Sequence, residues 1–368
     1  MEFPQRINAY DAFNRCFIGG TLKKQGERVF FVKNSEFPYD TSLYISPGFL
    51  DMHVHVFEGY GIFGMDPRQF GHSWGVHCMS DCGTCGSDNI KLFIKYVFPE
   101  YKDVTKLKLW LNICRFGLPS NHETIDFAML DPITTAKCAV EHSDIVLGIK
   151  VRMNNDVPEK DCLVPLFRAL EAAELANMPV MVHISAGPPM TKDILPHLRQ
   201  GDVITHIFNG KIGSPFNEDG TPIKELQEAE ARGVLFDVAH GYSSFNLETC
   251  RKAVEHGFAD VTISTDKHKK CALGAPFTFV DVMSKVHGCG VPLEKVLYGV
   301  TKKASDIMKF ENWCTFENME KNATIFSYSE NSQKTEFVDP FGNKIVPDKK
   351  FIAKAVITEG KWKDIESL

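Results

Sequence analysis

The chain has 368 residues, of which 43% are hydrophobic and 24% are charged, and its formal net charge is −6. This length and balance fit one large α/β domain with a smaller unit beside it. The chain has no long run of Lys and Arg, which excludes the usual pattern of a nucleic-acid-binding protein, because phosphate binding needs clustered cations. We expect a small-molecule substrate, and the sequence is compatible with a homo-oligomer.

The N-terminal residues lack the basic and apolar segments of a secretory signal. No apolar run reaches the roughly 18–20 residues that a membrane span needs. The chain contains 11 cysteines, an odd number without the regular spacing of a disulfide scaffold, which indicates reduced thiols. We therefore expect a cytoplasmic protein that does not bind membranes.

Short apolar runs alternate with amphipathic segments along the middle of the chain. The runs are Phe49–Val56, Gly75–Ser80, Leu107–Ile113, Ile145–Val151, Pro179–Ile184, Asp202–Thr205, Val234–Val238 and Asp260–Ser264. Segments 164–178, 221–233 and 246–258 place apolar residues at helical spacing, and Asn246 is a favourable N-cap residue. This alternation predicts a (β/α)8 TIM barrel over residues 49–320.

The two ends of the chain have a different character. Residues 1–48 lack helical periodicity, and the segments 28–34 and 42–48 have the composition of short strands. Strand-like segments with polar turns return near the C-terminus. We expect residues 1–48 and 321–368 to form one small composite β-sandwich domain beside the barrel.

Six residues suited to metal binding lie where five of the predicted strands end or have just ended. His53 and His55 form an H-x-H pair, and period-2 alternation directs both side chains to the same side of the first strand. The other members of this set are Lys150, His183, His206 and Asp266. Active sites of α/β barrels lie at the C-terminal ends of the strands, so these side chains should converge. Imidazole and carboxylate ligands suit zinc, our default, and also manganese and iron.

Several motifs resemble the amidohydrolase superfamily. The segment PGFLDMHVH at 47–55 resembles the opening of the barrel in dihydroorotases, hydantoinases and deacetylases. GIKVR at 148–152 resembles the strand that carries the carboxylated lysine of that superfamily. The segments VHISAGPP, THIFNGK, FDVAHG and ISTDKH, which begin at residues 182, 205, 236 and 263, resemble its dihydroorotase-like amidohydrolase/deacetylase branch.

The resemblance implies a binuclear centre with two divalent metal ions. A CO2 adduct of Lys150 would bridge the two ions. One ion would be bound by His53, His55 and Asp266, and the other by His183 and His206. A hydroxide that bridges the metals would attack the substrate, since metal binding lowers the pKa of water from ~15.7 to about 7. Asp266 would also act as a catalytic residue that accepts the proton and passes it to the leaving group.

Contacts to the substrate are predicted from position alone. Arg152 either binds a substrate carboxylate through a bidentate fork or forms an ion pair with a barrel loop. His240, at the end of the seventh run, is expected to be a catalytic and substrate-binding residue that contacts the substrate or its oxyanion. Asn209, Gly210 and His268 are further candidates for substrate binding.

Three functions remain open at this point. We favour hydrolysis of an amide or ester bond in a small N-acyl amino acid or O-acyl hydroxy acid. A cyclic amidase of the dihydroorotase or hydantoinase type is the alternative, but Val56 and Phe57 follow His55 where classical dihydroorotases carry an Arg two residues beyond the second His. A catalytically silent scaffold is disfavoured because all six ligand positions are filled.

The cysteines at 78, 82 and 85 have a C-x3-C-x2-C spacing that can hold an iron–sulfur cluster. The alternative is that Cys78 lies in a buried strand and that Cys82 and Cys85 lie in the loop that follows it. The family resemblance favours this alternative, because the matching family positions are not cysteine.

Overall fold

A computed structural model describes residues 3–367 of the protein, so residues 1, 2 and 368 of the predicted composite domain lie outside the described residues. The strands are β1 (Gln5–Asp11), β2 (Cys16–Gln25), β3 (Arg28–Ser35), β4 (Leu43–Pro47), β5 (Phe49–Val54), β6 (Val76–Gly86), β7 (Lys106–Asn112), β8 (Val146–Arg152), β9 (Val180–His183), β10 (Val203–Thr205), β11 (Leu235–Asp237), β12 (Asn322–Glu330), β13 (Phe337–Val338), β14 (Lys344–Ile345), β15 (Lys349–Thr358) and β16 (Lys361–Asp364). The α-helices are α1 (Ile90–Tyr96), α2 (Phe98–Tyr101), α3 (Pro132–Glu141), α4 (Val164–Ala176), α5 (Thr191–Ile194), α6 (Lys224–Ala231), α7 (Leu247–Glu255), α8 (Phe279–Gly288), α9 (Leu293–Val300), α10 (Lys302–Ile307) and α11 (Phe316–Met319).

Seven strands, β5 to β11, form one parallel sheet in the order of the chain. Every residue of β5 and of β6 is buried, as expected for parallel strands that are covered on both faces. Seven of the eight predicted strands are thereby confirmed. Because all seven strands run in the same direction, their C-terminal ends meet at one end of the sheet.

The eighth apolar run, Asp260–Ser264, does not form a regular strand, but this run and the residues just after it contact both edges of the parallel sheet. Thr262 forms an isolated parallel bridge with Asp237 in β11, and Lys267 forms another with Val54 in β5. The amide of His55 donates to the Lys267 carbonyl at 3.0 Å. Residues 262–267 therefore connect the first and last strands of the sheet.

Helices α4, α6 and α7 confirm the three helical segments predicted from the sequence. The Asn246 side chain accepts a hydrogen bond from the backbone N–H of Thr249 at 2.9 Å, so it is the N-cap of α7 as predicted. Leu166, Ala169 and Ala173 on α4 are fully buried, at the spacing of one helical face. Within residues 3–367, none of the helices has the length and apolar character that crossing a bilayer requires.

The chain ends form a second sheet, which is a closed barrel in the order β1-β2-β3-β16-β15-β12-β4. The predicted β-sandwich is therefore wrong in this respect. A parallel pairing of β1 with β4 and a short pairing of β3 with β16 join the edges, and closure removes unpaired strand edges. Ile7, Leu22 and Ile325 belong to a separate apolar core inside this barrel. Strands β13 and β14 form a separate two-stranded sheet.

Candidate metal centre

A cavity lies at the C-terminal ends of the parallel strands. Its lining includes His53, His55, Phe63, Cys82, Leu118, Asn121, Glu123, Lys150, Arg152, His183, Ser185, Lys211, Tyr242, Asp266, His268 and Lys270. Five of the six predicted ligands therefore face one cavity, and the sixth, His206, packs against two of them, as described below.

His53, His55 and Asp266 form a buried cluster in which one possible ligand atom from each residue lies within 4.8 Å of the others. Asp266 Oδ1 lies 3.5 Å from Nε2 of His53 and 3.3 Å from Nε2 of His55. The alternation of side chains along β5 brings both imidazoles to the same side, as predicted. Two imidazoles and a carboxylate are a donor set that suits a divalent metal ion.

Two threonine hydroxyls orient these imidazoles. Thr205 Oγ1, at the end of β10, lies 2.9 Å from Nδ1 of His53. Thr84 Oγ1, in β6, lies 2.8 Å from Nδ1 of His55. Because each Nδ1 is engaged by a hydroxyl, each Nε2 is directed toward Asp266, which is the ring orientation of metal-binding histidines.

Two of the three remaining predicted ligands carry a buried polar atom without a hydrogen-bond partner among the described residues. Nδ1 of His206 donates to the Ala239 carbonyl at 2.8 Å, which leaves Nε2 of His206 buried and unpaired among the described residues. Lys150 Nζ is also buried and unpaired. The rings of His183 and His206 lie 4.2 Å apart, and those of His53 and His206 lie 5.2 Å apart. A buried nitrogen without a hydrogen-bond partner is energetically costly. These two atoms therefore fit a site in which His206 Nε2 would bind a metal ion and Lys150 would be modified.

Burial makes the site favour neutral histidines. It lowers the pKa of His55 to about 4 and holds the pKa of His53, His183 and His206 well below the usual range. Burial also lowers the pKa of Lys150, and neutral imidazole is the form that binds metals.

Burial acts in the opposite direction on the carboxylate and raises the pKa of Asp266 to about 6. At pH values above about 6 this carboxylate is ionised and available as an oxygen ligand.

The backbone is strained at two of these residues. His206 and Asp266 adopt left-handed φ angles of 69° and 46°, which non-glycine residues rarely do. Such outliers cluster at functional sites, where the surrounding structure stabilises them.

Two glycines make room for the ligands. A Cβ atom at Gly241 would lie 2.5 Å from Asp266 Oδ2, and one at Gly83 would lie 2.8 Å from Lys150 Cγ. Both glycines also have positive φ angles, 54° and 83°. Sequence reasoning missed their roles, although Gly241 lies in the FDVAHG segment that resembles the family.

Comparisons with known proteins agree with this geometry. No family model matches the chain. A protein named deacetylase from Enterococcus faecalis is 31% identical over 288 residues, which cover 77% of each chain. The chain belongs to the amidohydrolase superfamily. Another deacetylase, from Brucella anthropi, is 30% identical over 269 residues, and this amidohydrolase matches 66% of that relative's length.

Solved structures extend the similarity to nearly the whole amidohydrolase chain. An adenine deaminase has a TM-score of 0.84 at 25% identity and covers 99% of this chain and 100% of its own. A dihydroorotase has a TM-score of 0.82 at 25% identity, covering 94% of both chains. An enamidase described as a member of the amidohydrolase superfamily shares the fold, with a TM-score of 0.59 at 16% identity. The match covers 97% of this chain and 95% of the enamidase. The resemblance predicted from the sequence motifs is confirmed.

His240 does not line the cavity of this amidohydrolase, contrary to the prediction of a catalytic and substrate-binding role. Its Nδ1 donates to the Gly241 carbonyl at 2.7 Å, and its Nε2 lies 2.9 Å from Lys285 Nζ. Phe245 and Phe277 pack against the ring, with centroids at 5.1 and 4.3 Å. Because both ring nitrogens are engaged and the ring is buried, we assign His240 to the packing behind the site.

Asn209 and Gly210 also lie outside the cavity lining, so their predicted contacts to the substrate are not supported. The fully buried Asn209 amide donates to the His206 carbonyl at 3.0 Å, and its oxygen accepts from the backbone N–H of Lys211 at 2.8 Å. A Cβ at Gly210 would lie 2.8 Å from Asn246 Cβ. These residues form the turn that carries Lys211 to the cavity.

Arg152 and His268 do line the cavity. Nε of Arg152 donates to Glu123 Oε1 at 2.8 Å and its Nη2 donates to Glu123 Oε2 at 2.9 Å, which matches the second alternative from the sequence, an ion pair with a barrel loop. His268 Nδ1 accepts from the backbone N–H of Lys270 at 3.2 Å, and its ring lies 5.1 Å from that of Phe63. His268 therefore packs in the wall of the cavity, where its Nε2 lies 3.8 Å from Asp266 Oδ2.

The three clustered cysteines all lie in β6 and are buried. The thiol of Cys82 donates to the Met52 carbonyl at 3.3 Å, and burial raises the pKa of Cys78, Cys82 and Cys85. Protonated thiols in a continuous strand agree with the buried alternative, although the strand runs through all three positions rather than ending before Cys82.

Proposed function

We propose that this amidohydrolase is a binuclear metal-dependent deacylase of a small N-acyl amino acid or O-acyl hydroxy acid. The observation that supports it most directly is the pair of unpaired buried nitrogens, Lys150 Nζ and His206 Nε2, in the same site as the His53–His55–Asp266 cluster. Relatives that carry the name deacetylase support the choice of reaction class.

The proposed centre uses the six ligands inferred from the sequence. His53, His55 and Asp266 would hold one divalent ion, with zinc as the default, and His183 and His206 the other. Lys150 would carry a carboxylate formed by addition of CO2. Burial lowers the pKa of its amine, which favours the neutral form that reacts with CO2, and the carbamate so formed would supply anionic oxygen ligands.

The residues of the chain supply the remaining chemistry. Divalent ions held by these residues would supply Lewis-acid chemistry, which activates a carbonyl and a water molecule at neutral pH. Asp266 is placed to accept a proton at its carboxylate and to return it to the leaving amine or alkoxide. Burial of Asp266 raises its proton affinity, which suits this exchange. Thr84 and Thr205 keep the imidazoles of His55 and His53 in one orientation during turnover.

The fold proposed for this function is a (β/α)8 barrel over residues 49–320, in which residues 262–267 take the place of the eighth strand. The bridges to β5 and β11 support closure at this point. Residues 1–48 and 321–368 would form the second domain. The eighth segment delivers Asp266 to the centre, so closure of the ring and assembly of the site depend on the same residues.

A cyclic amidase is the second candidate, and the similarity to a dihydroorotase favours it. Val56 and Phe57 stand where a carboxylate-binding Arg would follow His55, which argues for the deacylase instead. The test is turnover of a panel of N-acetyl and O-acetyl acids against dihydroorotate, hydantoin and adenine. Dominant turnover of dihydroorotate would exclude our preferred function.

Metal analysis and a lysine variant test the centre itself. Purified protein grown with zinc should contain about two metal ions per chain, and Lys150→Ala should lose both metal and activity, with partial recovery when a short carboxylic acid is added. Lys192→Ala is the control, because Lys192 is exposed on α5. Retention of two ions and full rate by Lys150→Ala would contradict the bridging role, and well under one ion in the unaltered protein would favour the scaffold.

A further inference from the structure

The wall of the cavity carries three long cationic side chains, and they differ in how their charge is balanced. Arg152, Lys211 and Lys270 all line the cavity. Nε and Nη2 of Arg152 donate one hydrogen bond each to the carboxylate of Glu123. Nη2 also donates to Asp156 Oδ2 at 3.3 Å. Its positive charge is thus matched by two carboxylates of the protein before a substrate binds.

The positive charge of Lys270 is partly balanced by its neighbours. Its ammonium group lies 4.8 Å from the centre of the Phe63 ring, within the range of a cation–π contact. It also donates to Asn121 Oδ1 at 3.3 Å. Lys270 lies on the wall formed by Phe63 and the loop after β7, and Asp266 is not among the charges that act on it.

Of the three cationic side chains, Lys211 has the positive charge that the protein balances least. Its Nζ donates to the Ser185 hydroxyl at 3.2 Å, and among residues 3–367 no carboxylate forms an ion pair with it. Burial lowers its pKa, and the nearest charges that act on it are those of Asp266 and Arg152. A half-buried ammonium without a counterion is unfavourable unless a ligand supplies the negative charge.

The position of Lys211 places this unmatched charge beside the metal centre. The turn formed by Asn209 and Gly210 joins it to His206, and Ser185 follows His183 by two residues. A substrate whose acyl group lies at Asp266 would therefore present the group next to its scissile bond to Lys211. In an N-acyl amino acid or an O-acyl hydroxy acid that group is the α-carboxylate.

We propose that Lys211 binds the α-carboxylate of the substrate, that the enzyme selects anionic acyl substrates over neutral ones, and that Arg152 instead holds the cavity wall together. This inference rests on the proposed function, whose substrate class it specifies. A hydrogen bond between an ammonium and a carboxylate is strong enough to change binding by about 10- to 100-fold.

The kinetic test compares an N-acetyl amino acid with its carboxamide, which keeps the shape and removes the charge. In the metal-loaded enzyme, Lys211→Met should lower kcat/KM for the acid by about 10- to 100-fold and for the carboxamide by less than about threefold. Lys192→Met, on the exposed side of α5, should change neither value. Equal losses for both substrates, or a loss of preference in Lys270→Met as large as in Lys211→Met, would overturn the assignment.

A second measurement needs no turnover. Reductive methylation of lysines, followed by mass spectrometry of peptides, should show that the N-acetyl amino acid protects Lys211 while its carboxamide does not, and Lys192 should react equally in both samples. Protection of Lys211 without hydrolysis of any acyl acid would remove the proposed function and leave the carboxylate site standing. Hydrolysis with no protection and no preference for the acid would remove the carboxylate site alone.

Discussion

The guanidinium of Arg152 donates two hydrogen bonds to the carboxylate of Glu123, at 2.8 and 2.9 Å, inside the wall of the candidate active site. The Glu123 side chain is completely buried, and 14% of the Arg152 side chain is exposed. Burial raises the pKa of Glu123, and the positive charge of Arg152 acts against this. The pair connects the end of β8 to the loop that follows β7, so it fixes a wall of the cavity.

Arg152→Met should therefore lower stability more than it changes substrate selection. Removal of one partner of a buried ion pair leaves an uncompensated charge, which costs about 3–5 kcal/mol of unfolding free energy. We expect a clear decrease of the thermal midpoint, with part of it recovered in the double variant Arg152→Met/Glu123→Gln. An unchanged midpoint in Arg152→Met, or the loss of preference for carboxylate substrates in that variant, would contradict this assignment.

Gly241→Ala should disrupt the metal centre through Asp266. The added Cβ would lie 2.5 Å from Asp266 Oδ2, which is too close for any side chain to remain in place. Because Asp266 is proposed both to bind metal and to transfer the proton, its displacement should reduce metal content and lower kcat by at least about 100-fold, on the order of 3 kcal/mol in the barrier. Metal analysis and steady-state kinetics would measure the two effects.

The control for this variant is Gly257→Ala. Gly257 also has a positive φ, 88°, but a Cβ there would have no neighbour within 4 Å. Its replacement should cost about 1 kcal/mol of stability through backbone strain and leave metal content and kcat unchanged. Equal losses in both variants would show that backbone strain, rather than the Asp266 contact, explains the effect of Gly241→Ala.

The sequence predicted those features that depend only on local patterns, such as the alternation of side chains along a strand and the residue type at a helix end. The H-x-H pair at 53 and 55 converges because alternate residues of a strand share a face, and Asn246 caps α7 because its side chain can accept the N3 amide. Seven buried parallel strands could be predicted because each forms a continuous apolar run. The residues at 262–267 form only isolated bridges, so pattern alone overestimated their regularity.

The sequence was uninformative wherever the choice depends on a distant partner. Arg152 faces Glu123, 29 residues away, and His240 faces Lys285, 45 residues away, and neither distance in the chain predicts a contact. His240 was predicted to contact the substrate because it ends a strand, yet its Nε2 lies 2.9 Å from Lys285 Nζ. The importance of Lys211 depends on the absence of a counterion, which only the packed structure reveals.

Thr205→Val should weaken metal binding without destabilising the fold. The hydroxyl of Thr205 lies 2.9 Å from His53 Nδ1, and valine keeps the shape while removing that partner. Loss of a group that orients a metal ligand typically reduces affinity by about 10- to 100-fold, which a competition titration with a zinc chelator would measure. Thr135→Val in α3 is the matched control, because that hydroxyl is buried and has no partner among the described residues. Equal zinc affinity in both variants would contradict the orienting role of Thr205.

His72 and His77 form a second pair of imidazoles, near the N-terminal end of β6 and away from the metal centre. Their ring centroids lie 5.1 Å apart. Burial lowers the pKa of His72 to about 4 and holds that of His77 well below its usual range. The positive charge of Lys363 lowers both further, so the folded protein keeps the two rings neutral in mild acid.

This pair should make the protein less stable as the pH falls from about 6.5 to about 4. In that interval an unfolded histidine binds a proton and the folded His72 does not, so the unfolding free energy decreases with decreasing pH. His72→Asn should remove up to about 3 kcal/mol of that decrease at pH 4, given 1.36 kcal/mol per pKa unit. Thermal midpoints of metal-free protein from pH 4 to pH 7 would measure it, with exposed His256→Asn as control. If His72→Asn and the unaltered protein lose stability in parallel over this interval, His72 does not couple folding to protonation, and the acid sensitivity arises at the histidines of the candidate metal centre instead.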